Sequence, residues 1–359
     1  MANLIDQLEH LTEEILTKEE LAELLASKKK LTHYIGFEIS GLVHIGHVSS
    51  LNVVKPLQDH GAQSIIWLAD WHSYINNKLG GSFENIRTAA KYFEHAMRAA
   101  LLCHGVDHTK VQFLLANDTY TMKYWELVMA VAKNTTLSRT KRSLDIAGRT
   151  AGDSIPTAIL FYPSMQAADI FFLGVNIAHA GMDQRKAHIV ARDARLPGFQ
   201  KPVSIHTHIL QGLQKPSIWP IPEGDPLQTA IALKMSKSKP DSAIFIHDEP
   251  DVIASKIKKA FCPPKETKHN PIIDWTINLI LKRDKTFTIE RPAQYGGTLV
   301  INNPQQLIAL YEQEQLSPVD LKNGVTQWIQ HFLEPAREYF KSEDKQKLLE
   351  QMRSMVITR

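Results

Sequence analysis

Two short stretches carry side chains able to handle a triphosphate. The first is His44-Ile45-Gly46-His47, which closes a segment that begins with an apolar run, Tyr34 to Phe37, and breaks at Ser40-Gly41. Imidazoles donate to phosphate oxygens, and the glycine between them lets a polyanion approach the backbone. At a helix start the same residues meet the unpaired N–H groups and positive dipole end that hold anions. The second stretch is Lys234-Met235-Ser236-Lys237-Ser238, in a Lys-, Ser- and Pro-rich run. Lysines on a mobile loop suit a charged group that comes and goes, because each acts as a point charge and the loop can close over it. Taken singly, each motif is as well explained by helix capping or a solvated loop.

A third set has the character of a small-molecule pocket. Tyr162, Gln166 and Asp169 stand at i, i+4 and i+7, so on a helix they share one face. Small and apolar neighbours, Ala167, Ala168, Ile170 and Phe171, make this face a recognition site more than a watery stripe. Gln184 and His188 are four apart on a second expected helix, Met182 to about Ala194.

The elements that would position these groups alternate. Tyr34–Phe37 reads as a strand, followed by a helix from His44 to about His60 before Gly61. Gln63–Ala69 is a continuous apolar run of the kind buried parallel strands show, with Asp70 and His72 at its end. A helix over Phe83–Leu102, a strand over Val111–Leu115 and a strand over Val203–Leu210 extend the pattern. This predicts an α/β fold: a Rossmann-like nucleotide-binding domain with a parallel sheet, in which ligands sit outside the carboxyl ends of the strands. Residues 118–153 interrupt it with helical text and a basic core, Lys133, Arg139, Lys141, Arg142 and Arg149. After Pro240 the alternation stops, and a mostly α-helical C-terminal domain is expected. Before residue 33, Leu4, Leu8, Leu11 and Ile15 suggest one helix, and Thr17 with Glu20 has capping-box spacing for a second, ended by Lys28–Lys30. The expected divisions are therefore an N-terminal helical arm, 1–32, a catalytic domain, 33–240, with its insertion at about 118–153, and a helical domain, 241–359.

The pair His-Ile-Gly-His and Lys-Met-Ser-Lys-Ser resembles the signature of class I aminoacyl-tRNA synthetases, and the residues around it resemble tyrosyl-tRNA synthetases of the archaeal and eukaryotic type, from about His33 to about Arg337. The resemblance implies ATP-dependent ligation of L-tyrosine to tRNA(Tyr) through a tyrosyl-adenylate. It aligns Tyr34, Tyr162, Gln166, Asp169 and Gln184 with tyrosine-binding residues, and Glu38, His72 and His188 with neighbours of that pocket. Tyr34 and Asp169 would reach the phenol; Tyr162, Gln166 and Gln184 would hold the ammonium end. His44, Gly46 and His47, with Lys234, Met235, Ser236, Lys237 and Ser238, would hold ATP, the two histidines and the lysines of the second motif being catalytic. The insertion corresponds to a homodimer interface that also meets the acceptor stem, where Arg142 would contact the first base pair. Asp320 would read the first anticodon base and Tyr295 would stack on it. One departure is Ser317, where many relatives carry histidine.

A buried carboxylate built to accept a phenol proton is left unpaired by phenylalanine, which is costly. Tyrosyl-tRNA synthetase is itself the worked case of such selectivity, rejecting phenylalanine by about 10⁵ without editing; that magnitude belongs to the family and is no calculation on this pocket. Magnesium is expected to travel with ATP, on phosphates and water, and no structural zinc is expected. The nearest rival is a tryptophanyl-tRNA synthetase, which shares both signatures. Other nucleotidyltransferases with a His-x-Gly-His turn leave the helical C-terminal part unexplained. A protein that only binds RNA or a partner would be expected to have lost signature histidines or lysines.

Composition sets broad bounds. The 359 residues exceed a single typical core, and 43% hydrophobic with 22% charged residues is ordinary for a globular chain. Forty-one basic against thirty-eight acidic residues give +3, so any tRNA surface must come from local clustering. Two cysteines, Cys103 and Cys262, form no disulfide framework. No apolar run approaches a membrane span, and the start lacks a signal-peptide pattern, so no membrane association and a cytoplasmic location are expected.

Overall fold

The computed structural model describes residues 2–149, 156–221, 224–235 and 240–355. Its centre is a six-stranded sheet. In chain order the strands are β1 (Glu14–Leu16), β2 (Thr32–Phe37), β3 (Gln63–Leu68), β4 (Gln112–Leu115), β5 (Ile177–Gly181) and β6 (Val203–Thr207). They lie in the order β1-β6-β5-β2-β3-β4, all parallel except β1, which runs antiparallel to β6. Tyr34 of β2 has Ile65 on one side and Ala178 on the other. The chain builds outward from β2 through β3 and β4, then restarts on its other side with β5 and β6. The switch point of this doubly wound sheet therefore falls between β2 and β5, and a ligand crevice is expected beyond their carboxyl ends.

Side chains alternate across the sheet, and each face has its own core. On one face Ile35, Ile66 and Leu68 pack with Phe93 and Met97 of the Phe83–Cys103 helix. That helix buries Ile86, Ala89, Ala90, Phe93, Ala96, Met97 and Ala100, the spacing of an amphipathic stripe. The same cluster continues into Phe340, Leu349 and Met352, so the C-terminal helices close over it. On the other face Tyr34, Trp67 and Ala178 pack with Tyr124, Val128, Met165, Ile170 and Val190.

The N-terminal residues differ from the expected arm. Helices Ala2–Leu11 and Lys18–Ala26 form, and the capping box is present: Glu20 N–H donates to Thr17 Oγ1 and Thr17 N–H to Glu20 Oε2, both at 3.2 Å. Between them, however, Ile15 lies on β1, opposite Ile205. Three residues are too few to display strand alternation, so the helical periodicity of the leucines concealed it. Leu4, Leu8, Leu21 and Leu24 pack against Ile177, Val203 and Ile205, which makes this segment a layer of the sheet.

The helix expected over His44–His60 is two, Ile45–Ser50 and Val54–Asp59. Pro56 lacks an N–H and its ring would crowd the carbonyl of Asn52, so a continuous helix cannot pass that point, whereas proline is tolerated within the first turn of a new one. After Pro240, residues Ala243 to Ile246 are buried and return to the first motif: Ile45 N–H donates to Ile244 O at 2.8 Å. Beyond them the chain is helical, with helices opening on Pro250, Pro271, Pro304 and Pro318. A hairpin of β7 (Phe287–Ile289) and β8 (Leu299–Ile301), not foreseen from the sequence, interrupts them.

Candidate active site

A cleft of about 1330 Å³ opens beyond the carboxyl ends of β2 and β5. Tyr34, Glu38, His44, Gly46, His47, His72, Tyr162, Gln166, Asp169, Gln184, Lys234 and Met235, all singled out from the sequence, line it.

Its first end is built by the histidine motif. His44 is the N-cap of the Ile45–Ser50 helix, with extended backbone (φ −124°, ψ 171°). Its Nδ1 accepts the N–H of Gly46 at 3.1 Å, and His47 Nδ1 accepts the N–H of His44 at 3.2 Å. The two imidazoles thus make a reciprocal capping box of the kind usually made by a hydroxyl and a carboxylate. An Nδ1 that accepts must be the unprotonated nitrogen, so each neutral ring carries its proton on Nε2 as a donor. Gly46 is required for this fit, since a Cβ there would lie 2.9 Å from His44 Cε1.

At the other end the Tyr162–Phe172 helix presents Tyr162, Gln166 and Asp169 on one face, as their spacing predicted. Asp169 is 1% exposed. Its Oδ1 accepts the hydroxyl of Tyr120 at 2.7 Å, while Oδ2 has no hydrogen-bond partner among the described residues; nor has Gln166 Oε1. Burial raises the Asp169 carboxyl to about 8, against the pull of the Tyr120 hydrogen bond. Burial also holds His72 neutral, at about 3, with Nε2 3.8 Å from Asp169 Oδ2, too long for a hydrogen bond. Burial and then the Asp169 charge push the Tyr34 phenol well up. A Cβ on Gly36 would lie 2.6 Å from the Tyr34 hydroxyl, so the glycine makes room for that group.

Glu38, just past β2, ties the cleft's wall together. Its Oε1 accepts the Tyr162 hydroxyl at 3.0 Å and Asn76 Nδ2 at 2.8 Å, and Lys78 Nζ lies 3.7 Å from Oε2. Gln184 donates to Ile146 O at 3.0 Å, and Arg149 Nε to Asn76 Oδ1 at 3.0 Å, so the end of the insertion is strapped along the cleft. Asn76, Lys78 and Arg149 were not foreseen as site residues, since their carboxylate, amide and carbonyl partners are distant in sequence.

The lysine motif reaches the cleft beside the histidine motif, with Met235 Sδ 3.7 Å from where a Cβ on Gly46 would stand. Lys234 forms an isolated bridge with Gln211, and its Nζ lies 3.1 Å from Asp183 Oδ2. That carboxylate holds the Lys234 ammonium above its usual range. Asp183 was missed, although its place just after β5 is where such crevices collect polar groups. Met235 is buried in the cleft wall. Ser236, Lys237 and Ser238 lie outside the described residues.

His188 is a correction. It is fully buried and does not line the cleft; its Nδ1 is 3.0 Å from Nε2 of His206 on β6. Gln184 belongs to the 3₁₀ turn Met182–Gln184 that precedes the Arg185–Ala194 helix, so the two side chains do not share one helical face, and His188 points toward the sheet. The expected tRNA residues lie elsewhere on the surface. Arg142 ends the Leu137–Arg142 helix, exposed, with Nη1 on Ser138 Oγ. Tyr295 is 62% exposed in a turn beside the hairpin, and Asp320 is in the first turn of the Pro318–Phe332 helix. Ser317 is that helix's N-cap: its Oγ accepts the Asp320 N–H at 3.1 Å and donates to Asp320 Oδ2 at 2.9 Å. The departure from histidine therefore fixes the aspartate's position.

Residues 26–334 match the model of the class I tRNA synthetases (W and Y). The chain is 45% identical to the tyrosine–tRNA ligase of Thermococcus kodakarensis over 363 aligned positions, covering 97% of this chain and 96% of that one. The tyrosine–tRNA ligase of Pyrococcus abyssi is likewise 45% identical with the same coverage. Among solved structures, the tyrosyl-tRNA synthetase of Pyrococcus horikoshii complexed with L-tyrosine superposes with a TM-score of 0.90 at 43% identity, over 98% of this chain and 99% of that one.

Proposed function

Because the chain belongs to the tyrosine–tRNA ligases of the class I synthetases, joining L-tyrosine to tRNA with ATP through a tyrosyl-adenylate, we propose how its own residues divide that work. The observation that carries the assignment is the pairing of unmatched buried acceptors, Asp169 Oδ2 and Gln166 Oε1, in one wall of the cleft. Buried polar atoms are rarely left unpaired, and those that are point to an absent partner. A phenol hydroxyl donates to the first and an ammonium to the second. Tyrosine supplies both.

In this arrangement Tyr34 and Asp169 take the phenol, while Tyr162, Gln166 and Gln184 hold the amino acid's ammonium end. Glu38 and neutral His72 set the wall behind them. The tyrosine carboxylate then faces the histidine motif. Its oxygen attacks the α-phosphorus of ATP, the bond from that phosphorus to the α,β-bridging oxygen breaks, and pyrophosphate leaves with the electron pair. His44 and His47 donate from Nε2 to phosphate oxygens beside Gly46, and Lys234, with Lys237, neutralises the departing pyrophosphate, Met235, Ser236 and Ser238 completing the ATP site. No side chain serves as nucleophile; positioning and charge stabilisation do the catalysis. In the second step a hydroxyl of the terminal adenosine of tRNA attacks the tyrosyl carbonyl and AMP departs. The groups flanking the triphosphate end are chiefly nitrogen donors, and Asp183 is engaged by Lys234. Mg²⁺ therefore fits on phosphate oxygens and water, with no cage from the protein.

The tRNA is placed across Arg142 at the acceptor stem and across Tyr295 and Asp320 at the anticodon, with residues 33–240 carrying the chemistry and 241–359 reading the anticodon. Met122, Met129 and Leu137, which are 75%, 49% and 61% exposed on the insertion's helices, support a homodimer formed there. No helix among the described residues is long and apolar enough to cross a membrane; we place the enzyme in the cytoplasm, with its tRNA. Tyr34→Phe tests the pocket. Tyrosine KM is expected to rise while ATP KM stays constant, and an unaltered tyrosine KM would remove Tyr34 from the site.

A further inference from the structure

We propose that Tyr120 is a positioning residue for tyrosine selection: its hydroxyl occupies one oxygen of Asp169 and so leaves the other turned to the cleft for the substrate's phenol. This deepens the pocket assignment above and rests on Asp169 being the phenol's acceptor. Tyr120 does not itself line the cleft. It follows the short Ala116–Thr119 helix at the carboxyl end of β4, and its O–H donates to Asp169 Oδ1 at 2.7 Å.

The ring that carries this hydroxyl is held from two elements. It stacks on Tyr124 with centroids 3.5 Å apart at 11°, and lies 5.6 Å from the Trp67 ring of β3. Tyr124 in turn donates to Met165 O at 3.3 Å, on the helix that bears Asp169. The donor and the carboxylate are thus referenced to the same helix. A carboxylate with one oxygen fixed by such a bond cannot rotate freely, and its second oxygen keeps a defined direction. That second oxygen, Oδ2, is buried with no hydrogen-bond partner among the described residues.

The other titratable groups facing Asp169 are Tyr34, Asp70, His72, Tyr124 and Tyr162. His72 is neutral, the tyrosines are held protonated, and the Asp70 charge opposes ionisation of Asp169. Burial raises the carboxyl to about 8, and the Tyr120 bond counters that rise first, followed by the Tyr124 hydroxyl and the Trp67 indole. A donating phenol binds the ionised carboxylate, so efficiency with tyrosine should climb with pH through that region and then level. Without the Tyr120 hydroxyl the climb moves to higher pH.

The test is Tyr120→Phe, which keeps the stacked ring, beside Asp169→Asn. ATP–pyrophosphate exchange is followed over tyrosine and ATP concentrations across the pH range, with melting temperatures as a check on folding. Tyr120→Phe is expected to raise tyrosine KM about tenfold at neutral pH, to leave kcat and ATP KM within about twofold, and to displace the acid limb upward by about one pH unit. Unchanged tyrosine KM and limb in Tyr120→Phe, with Asp169→Asn defective, would overturn the role of Tyr120 alone. Normal tyrosine kinetics in Asp169→Asn would overturn the pocket assignment and this role together. A fall in kcat and in affinity for both substrates, with a lowered melting temperature, would make Tyr120 a structural residue only.

Discussion

Replacing His208 with glutamine should destabilise the protein at neutral pH and leave it nearly unaffected at pH 10. His208 follows β6 and joins three parts of the chain: it is paired with Glu13, ahead of β1, and its Nε2 lies 2.7 Å from Asp274 Oδ1 in the Pro271–Trp275 helix. Burial disfavours its charge, but the carboxylates of Asp274 and Glu13 outweigh burial and raise the imidazole to about 9. In the unfolded chain the same group titrates near 6.5. A folded-state value above the unfolded one means stabilisation that is complete below about pH 6.5 and is lost as pH rises through about 9. At about 1.4 kcal/mol per pH unit that gap corresponds to about 3 kcal/mol. The His208 side chain is 19% exposed and Glu13 36%, so solvent screening trims the expected value to about 2 kcal/mol. Urea unfolding of wild type and His208→Gln at pH 6.5 and pH 10, followed by tryptophan fluorescence, measures it. An equal deficit at both pH values would refute the charged latch and leave only lost packing.

Three further outcomes follow from the cleft. Gly36→Ala should raise tyrosine KM at least severalfold with ATP KM unchanged, because the new methyl would stand 2.6 Å from the Tyr34 hydroxyl; steady-state exchange kinetics decide it. Lys234→Ala should slow adenylate formation by about 10² to 10³, the usual loss for one transition-state charge contact, while equilibrium tyrosine binding stays the same; rapid-quench measurements with saturating substrates separate the two. Ser317→Ala removes the N-cap that also holds Asp320. It should cost about 1 kcal/mol in unfolding free energy and raise tRNA KM without altering tRNA-independent exchange.

How far the sequence was legible depended on whether a signal was local. The strand-turn-helix around His44 and the shared face of Tyr162, Gln166 and Asp169 are set by short spacings, and the structure brings these residues to one cleft. The parallel Rossmann-like sheet followed from alternating strands and helices, but β5 was not foreseen, and with it the switch point beside β2. What escaped notice was non-local or short. β1 is an edge strand of three residues whose pairing partner lies far downstream at β6, and Pro56 broke a helix that hydrophobic periodicity alone would have continued. Tyr120 carries no pattern of its own; only the fold brings it to Asp169. His188 failed for the opposite reason: i, i+4 spacing from Gln184 holds along a helix, but a turn of 3₁₀ helix, Met182–Gln184, precedes it, and the histidine ends against β6.

The central claim is that the cleft selects its amino acid through a phenol donor at Asp169 Oδ2. ATP–pyrophosphate exchange in the absence of tRNA, with tyrosine, phenylalanine and tryptophan offered separately, tests it most directly. Exchange dependent on tyrosine is expected, with phenylalanine failing for want of a hydroxyl and tryptophan for want of room and geometry. Exchange with phenylalanine at an efficiency near that of tyrosine would contradict the claim.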